Sequence, residues 1–309
     1  MLVRKGQRVW PMWETADVTH QAGELIRGTG EFWVTERDLE GLAMLLEHSF
    51  LGRRHLPFEQ SIAVANKRLL RLYMHGLLAR CREDVAEGRA SAWVYGLTRL
   101  GFEVLVLNGN VVALAAEPDW DPPYAAFGTR NNVVHQLAIA DLATTVIRHA
   151  ARAGVPVDWR GSKRLVQRVH PMAVGGQRLE VSPDAALLFG NGTAVLVEHE
   201  RSLRPGDVHD RMTKYKRYFD GRVWEASFAR EPKVLFSVDV LGNTQGYSES
   251  VYNLAKEAAA SLLLFPAMFI REDVWRVDKL TVEAVAGNRS VDLLQAVGLA
   301  LTRRPTTGG

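Results

Sequence analysis

Cysteine is almost missing from this chain: Cys81 is the sole one among 309 residues. An internal disulfide is therefore excluded, and so is a zinc site built from several thiolates. Long hydrophobic runs are scarce too. The longest, Ala258–Ile270, is broken by Pro266 and falls short of the about 20 apolar residues that a bilayer-spanning helix needs. The first residues show no apolar core of a secretory signal, so a cytoplasmic location is expected. No internal repeat or low-complexity tract is visible, which sets aside solenoid and fibrous architectures.

What is present is an ordinary globular composition, 47% hydrophobic and 24% charged, in a chain long enough for two domains. The net charge of +3 conceals an uneven distribution. Residues 53–80 hold six Arg/Lys against one Glu, and residues 201–222 hold seven against three acids, leaving the rest acidic. Basic charge gathered in short windows is the footprint of a polyanion binder, although solvated helix faces produce the same count.

Residues 1–34, with Trp10 and Trp13, have no clear period and read as an arm that packs onto another domain. From Thr35 a helix is expected, because Thr35 and Asp38 have capping-box spacing and Leu39, Leu42, Leu45 and Leu46 recur at helical intervals. Gly52 and Pro57 leave room for a short second helix. Ser61 can cap a third, with Ile62, Ala65, Leu69, Leu72 and Tyr73 inward and Asn66, Lys67, Arg68, Arg71 and His75 outward, ending at Gly76. A polar hairpin follows, turning at Glu87-Gly88 and carrying Cys81.

Three helices and a hairpin, with RLLRLYMHGLL on the third helix and VYGLTRLG returning from the hairpin, resemble the winged helix-turn-helix domains of bacterial regulators and plasmid proteins. The resemblance implies that the third helix enters the major groove of double-stranded DNA. Asn66, Lys67 and Arg71 are then candidate base contacts, and Arg53, Arg54 and Arg80 candidate phosphate contacts; Arg68 belongs to the same basic set. A protein-interaction module on the same scaffold is the competing reading.

The winged helix is assigned to residues 35–116, and the Pro-rich, acidic segment at 117–130 is expected to be an extended linker. Residues 131–302 read as a second domain and 303–309 as a frayed tail. In the second domain Asn131–Arg152 is expected to be a helix, with His135 near its start as a packed residue. Ser162–His170 reads as a short helix or loop. Strands are expected at Gln177–Phe189, Thr193–Glu200, Val234–Leu241 and Trp275–Val285, and helices at Asp207–Phe219 and Ser248–Leu264 with Ser248 as cap. This succession predicts an α/β (α+β) fold with a mixed sheet flanked by helices.

Chemistry concentrates in Val181–Ser202, VSPDAALLFGNGTAVLVEHERS, which reads as a hairpin carrying Asp184, Glu198 and Glu200. A three-residue loop Gly190-Asn191-Gly192 sets Asp184 opposite Glu198, with Glu200 on the same face. A two-residue Asn191-Gly192 turn instead sets Asp184 opposite His199 and splits the acids across the sheet. The sequence leaves both open. Gathered carboxylates call for a hard cation or for basic neighbours, and Arg201, Arg211 and Lys214 could supply the latter.

Pro183-Asp184, then Glu198-His199-Glu200-Arg201-Ser202, then Lys214 through Tyr218, resemble the PD-(D/E)XK nuclease-like superfamily. With the winged helix in front, the layout over residues 35–240 resembles the replication-relaxation family of plasmid and mobile-element proteins. That resemblance implies Asp184 and Glu198 as ligands of Mg²⁺ or Mn²⁺, and Glu200 and Lys214 as further catalytic candidates. Glu200 stands where the superfamily usually has Lys, a departure that leans against catalysis. The expected function is DNA binding in replication, relaxation or conjugative processing, with a relaxase or replication protein and a second copy of the chain as further partners. An active metal-dependent endonuclease and a winged-helix regulator or adaptor are the alternatives.

Overall fold

The computed structural model describes residues 13–18, 20–27, 32–58, 61–82, 92–109, 121–127, 130–161, 172–174, 177–179, 181–200, 205–238, 245–262, 264, 266–275, 280–284 and 290–299. Trp10, the Glu87-Gly88 turn, Ser162–His170, Arg201, Ser202 and the 303–309 tail lie outside the described residues. The chain divides into two compact units, Met1–Ala140 and Asp141–Gly309.

The first unit opens with α1 (Ala22–Arg27) and α2 (Glu36–His48). Thr35 and Asp38 form the expected capping box, with the Thr35 side chain accepting from the Asp38 N–H and the Asp38 carboxylate accepting from the Thr35 N–H. Leu42, Leu45 and Leu46 are buried. Next come β1 (Phe50–Gly52), a single 3-10 turn at Arg53–His55, and α3 (Ile62–Met74), which Ser61 caps. The short second helix is thus only that turn, and β1 ahead of it gave no sequence signal because three apolar residues have no readable period. β2 (Leu78–Arg82) and β3 (Trp93–Leu97) complete an antiparallel sheet of order β1-β3-β2. α4 (Arg99–Leu107) and α5 (Pro123–Phe127) follow, and then α6 (Arg130–Arg152), which occupies nearly the expected helix.

Two arginines organise this unit. Arg68 on α3 pairs with Asp38 on α2, Nε lying 2.9 Å from Oδ1, and donates through Nη2 to the Trp33 carbonyl at 2.7 Å. Asp38 is 1% exposed, so its charge is matched inside the protein rather than by water. Arg80 on β2 lies between the rings of Tyr73 and Trp93, 3.9 and 4.1 Å from their centroids, and pairs with Glu14 at 2.9 Å. Glu14 and Arg80 also exchange backbone hydrogen bonds. Trp13, in the expected arm, packs with Phe50, Cys81, Val94, Tyr124, Val133 and Leu137.

The second unit is built on a seven-stranded mixed sheet of order β12-β11-β10-β9-β8-β7-β4. Its strands are β4 (Val157–Gly161), β7 (Ala185–Phe189), β8 (Ala194–Glu200), β9 (Lys233–Val238), β10 (Ala267–Arg271), β11 (Thr281–Ala284) and β12 (Ser290–Asp292). β5 (Met172–Val174) and β6 (Gln177–Leu179) form a separate two-stranded ribbon. The expected strand over Gln177–Phe189 is therefore two strands, interrupted around Pro183, which lacks the N–H that a continuous ladder requires.

α7 (Pro205–Asp220) links β8 to β9, and α8 (Gln245–Ser261) links β9 to β10. Both strand pairs are parallel, so each helix is a crossover. Tyr215, Tyr218, Phe219, Tyr252, Ala255 and Ala259 from these helices pack on Leu196, Val234, Phe236 and Phe269 of the sheet, so α7 and α8 cover one face. A short α9 (Glu272–Trp275) follows β10, and α10 (Leu293–Ala296) follows β12. Ser248 lies within α8 rather than at its cap, and Trp275 ends α9 rather than opening a strand. β4, β10 and β12 went unrecognised as strands; Pro266 separates the end of α8 from β10 inside the apolar run. Among the described residues no helix is long and apolar enough to cross a membrane.

Arg68→Ala leaves Asp38 buried without its partner. It should lower unfolding stability by about 3 kcal/mol in urea titration, and a change inside about 0.5 kcal/mol, as at an ordinary surface site, would refute that role.

Candidate nucleic-acid interface and carboxylate site

The hairpin register is set by its loop. Gly192 has φ +83°, a conformation that glycine adopts without steric cost, and its N–H donates to the Phe189 carbonyl at 2.9 Å. The Phe189 N–H donates to the Thr193 carbonyl at 2.9 Å, and the Asn191 side chain accepts from the Thr193 N–H at 2.9 Å. The loop is therefore the three residues Gly190-Asn191-Gly192. Ala185 pairs with Val197 and Ala186 with Leu196, the register of the three-residue loop, and Asp184, just ahead of β7, donates its N–H to the Val197 carbonyl at 3.0 Å. Glu198 and Glu200 align with Phe236 and Val238 of β9, on the face that α7 and α8 cover.

Glu198 is 4% exposed. The Tyr215 hydroxyl donates to its Oε1 at 2.6 Å, and Arg211 Nη1 lies 3.2 Å from its Oε2. The same Nη1 is hydrogen-bonded to Glu200. Arg211 and Tyr215 stand four residues apart on α7 and so reach the strand side by side. Asp184 accepts from the His199 N–H at 2.8 Å. Burial pushes the Glu198 carboxyl well above the usual carboxylate range, and Asp184 and Glu200 add to the rise, while Arg211 and Tyr215 oppose it. The Tyr215 hydroxyl is pushed up by burial and then by Glu198. A cavity of about 450 Å³ opens here, lined in part by Asp184, Glu198, Asp207, Asp210, Arg211 and Lys214. Lys214 is exposed at this cavity, while Tyr218, the end of the same sequence motif, is buried in the core.

The four catalytic candidates thus meet at one end of the sheet, but with an arginine among them. Asp184 and Glu198 supply hard oxygen donors of the kind Mg²⁺ or Mn²⁺ takes. As placed they do not fit such an ion. The positive charge between Glu198 and Glu200 is Arg211, and among the described residues no group of three or more His, Cys, Asp or Glu is arranged to hold a metal. Tyr215 was not foreseen at this site, and its i, i+4 spacing from Arg211 was the available signal.

The DNA-contact candidates separate into two groups. Asn66 and Lys67 are exposed on α3, and Arg54 is exposed in the 3-10 turn with Arg53 half-buried beside it. Arg68 and Arg80 are held in the internal contacts described above, and Arg71 is half-buried, 5.6 Å from the Phe32 ring. His75 also turns inward, stacking on Phe32 with ring centroids 3.9 Å apart. One cation was missed: Arg37, exposed in the first turn of α2, borders a cavity of about 450 Å³ together with Phe58, Val64, Lys67 and Arg71. Among the described residues neither Arg37 nor Lys67 has an ion-pair partner. Arg37 escaped notice because it lies outside the basic windows, although it adjoins the Asp38 that anchors α3.

An α+β protein with an exposed helix beside uncompensated cations, and a carboxylate cluster at the end of a mixed sheet, is the class these two units define. The chain belongs to the replication-relaxation family, whose model matches residues 42–234, from within α2 to the start of β9. Membership ties it to replication or relaxation. No curated protein and no solved structure matches the chain.

Glu198→Gln tests the electrostatics of the site. A carboxyl whose pKa is raised by folding keeps its proton when the unfolded chain has lost it, so its contribution to stability falls as pH rises above about 4.3, where an unfolded Glu ionises. Denaturant midpoints of the wild type should therefore fall relative to Glu198→Gln from pH 4 to 7. A relative rise over that window would mean an ionised, strongly paired Glu198.

Proposed function

We infer that the protein is a duplex-DNA-binding component of plasmid or mobile-element replication or relaxation, acting in the cytoplasm. Residues 35–116 serve as a winged helix with α3 toward the major groove. The seven-stranded unit serves as a nuclease-like platform that does not cut. One observation carries the binding reading. With Arg68 and Arg80 committed internally, α3 still presents Asn66 and Lys67, and Arg37 stands beside Lys67 at a shared cavity. Phosphates of DNA supply the opposing charge that Arg37 and Lys67 lack among the described residues. The platform is open to a relaxase, a replication protein or a second copy of the chain.

A second reading, an active endonuclease, draws on Asp184, Glu198 and Lys214 lining one cavity. It requires a divalent ion where Arg211 stands, and cleavage of DNA in Mg²⁺ or Mn²⁺ separates it from the first.

Fluorescence anisotropy of the full chain with linear duplex DNA tests the binding reading. The logarithm of the association constant should fall linearly with the logarithm of salt concentration, and Lys67→Ala and Arg37→Ala should each reduce that slope by about 1 without changing thermal stability. Salt-independent binding, or full affinity in the double variant, would overturn it.

A further inference from the structure

The outward face of α3 is apolar where a DNA reader is usually most polar. Leu70 is 42% exposed and Met74 57%, and with Ala63 and Lys67 they recur at three- and four-residue spacing, opposite the buried Ala65, Leu69 and Leu72. Val64, 47% exposed, and Ile62, 62% exposed, flank this stripe; Ile62 was expected inward, but it is the first helical residue and projects free of the core. Asn66 lies at the edge of the same face.

We propose that α3 reads A·T base pairs, with Asn66 on the adenine edge and Leu70 and Met74 against thymine methyl groups. The inference rests on the DNA-binding reading above and adds its specificity. Each base edge in the major groove has a matching side-chain chemistry. Guanine takes bidentate Arg or Lys, cytosine takes Asp or Glu, adenine takes Asn or Gln, and the thymine methyl takes an apolar group. α3 has no acidic residue, which removes the partner for cytosine. Of its two arginines, Arg68 is drawn to Asp38 and the Trp33 carbonyl, and Arg71 is half-buried beside the Phe32 ring at the cavity it shares with Arg37, so neither is among the fully exposed side chains of the outward face. Lys67 stands with Arg37 at the shared cavity and is assigned to phosphate, so it does not enter the base readout. What remains on the face is one amide among apolar side chains. Against phosphates those side chains would bury no apolar surface, whereas against a thymine methyl both partners leave water.

The alternating polymers poly(dA-dT), poly(dA-dU) and poly(dG-dC) isolate this chemistry. They share one backbone charge, and the first two differ only in the thymine methyl. The full-length protein should bind poly(dA-dT) about fourfold more tightly than poly(dA-dU) for each methyl contact made, and at least about tenfold more tightly than poly(dG-dC). The double variant Leu70→Ala, Met74→Ala replaces exposed residues. It should bind poly(dA-dT) and poly(dA-dU) equally. Equal affinity of the wild type for those two polymers overturns the inference and leaves DNA binding intact. A methyl preference that survives in the double variant also overturns it, by placing the readout elsewhere. No binding to any of the three removes the DNA-binding reading and this inference with it.

Discussion

Arg211 reaches Glu198 and Glu200 at once, and because Glu198 is enclosed by protein, the cost of leaving its carboxyl group without hydrogen-bond partners ties α7 to β8. The tie reaches further than one contact. Tyr215, one turn along, donates to the same carboxyl and stacks its ring on Phe219 while meeting Phe236 edge-on, so the polar cluster and the aromatic core are two sides of one helix–sheet contact. Lys214 projects from the same helix at the cavity that Asp184 lines. A sheet end that would otherwise gather like charges is neutralised from within by the chain's own cation.

The smaller unit solves the same problem in the same way. Asp38 is buried at the start of α2 and takes Arg68 from α3, which fixes the two helices to each other and withdraws a guanidinium from solvent. Arg80 is held between two aromatic faces and anchors Glu14. In both units arginine completes buried architecture. The surface of α3 is left with a lysine, an amide and apolar side chains, and Arg37 on α2 supplies the neighbouring charge.

Local chemistry was legible in the sequence and distant pairing was not. The Thr35–Asp38 box, the Ser61 cap and the span of α6 followed from spacing within a few residues. The hairpin could be reduced to two registers, and the one found depends on Gly192 adopting positive φ in a three-residue loop, a choice that its Gly-Asn-Gly composition permits without compelling. Arg68 pairs with a residue thirty positions away, which no helical period reveals, so a basic helix face was expected where a packed one exists. β1, β4 and β12 are short, and strands of three to five residues carry too little pattern to register. The carboxylates were identified from their clustering, and Arg211 was one of several basic residues that could have met them; only the fold selects it, by setting α7 across that strand.

Binding without cutting is the central claim, and supercoiled plasmid incubated with the full-length protein in Mg²⁺ or Mn²⁺ tests it most directly. A site closed by Arg211 predicts plasmid that is retarded by bound protein on a native gel and still supercoiled once the protein is stripped. Nicked circles produced by the wild type and not by Asp184→Asn would contradict it.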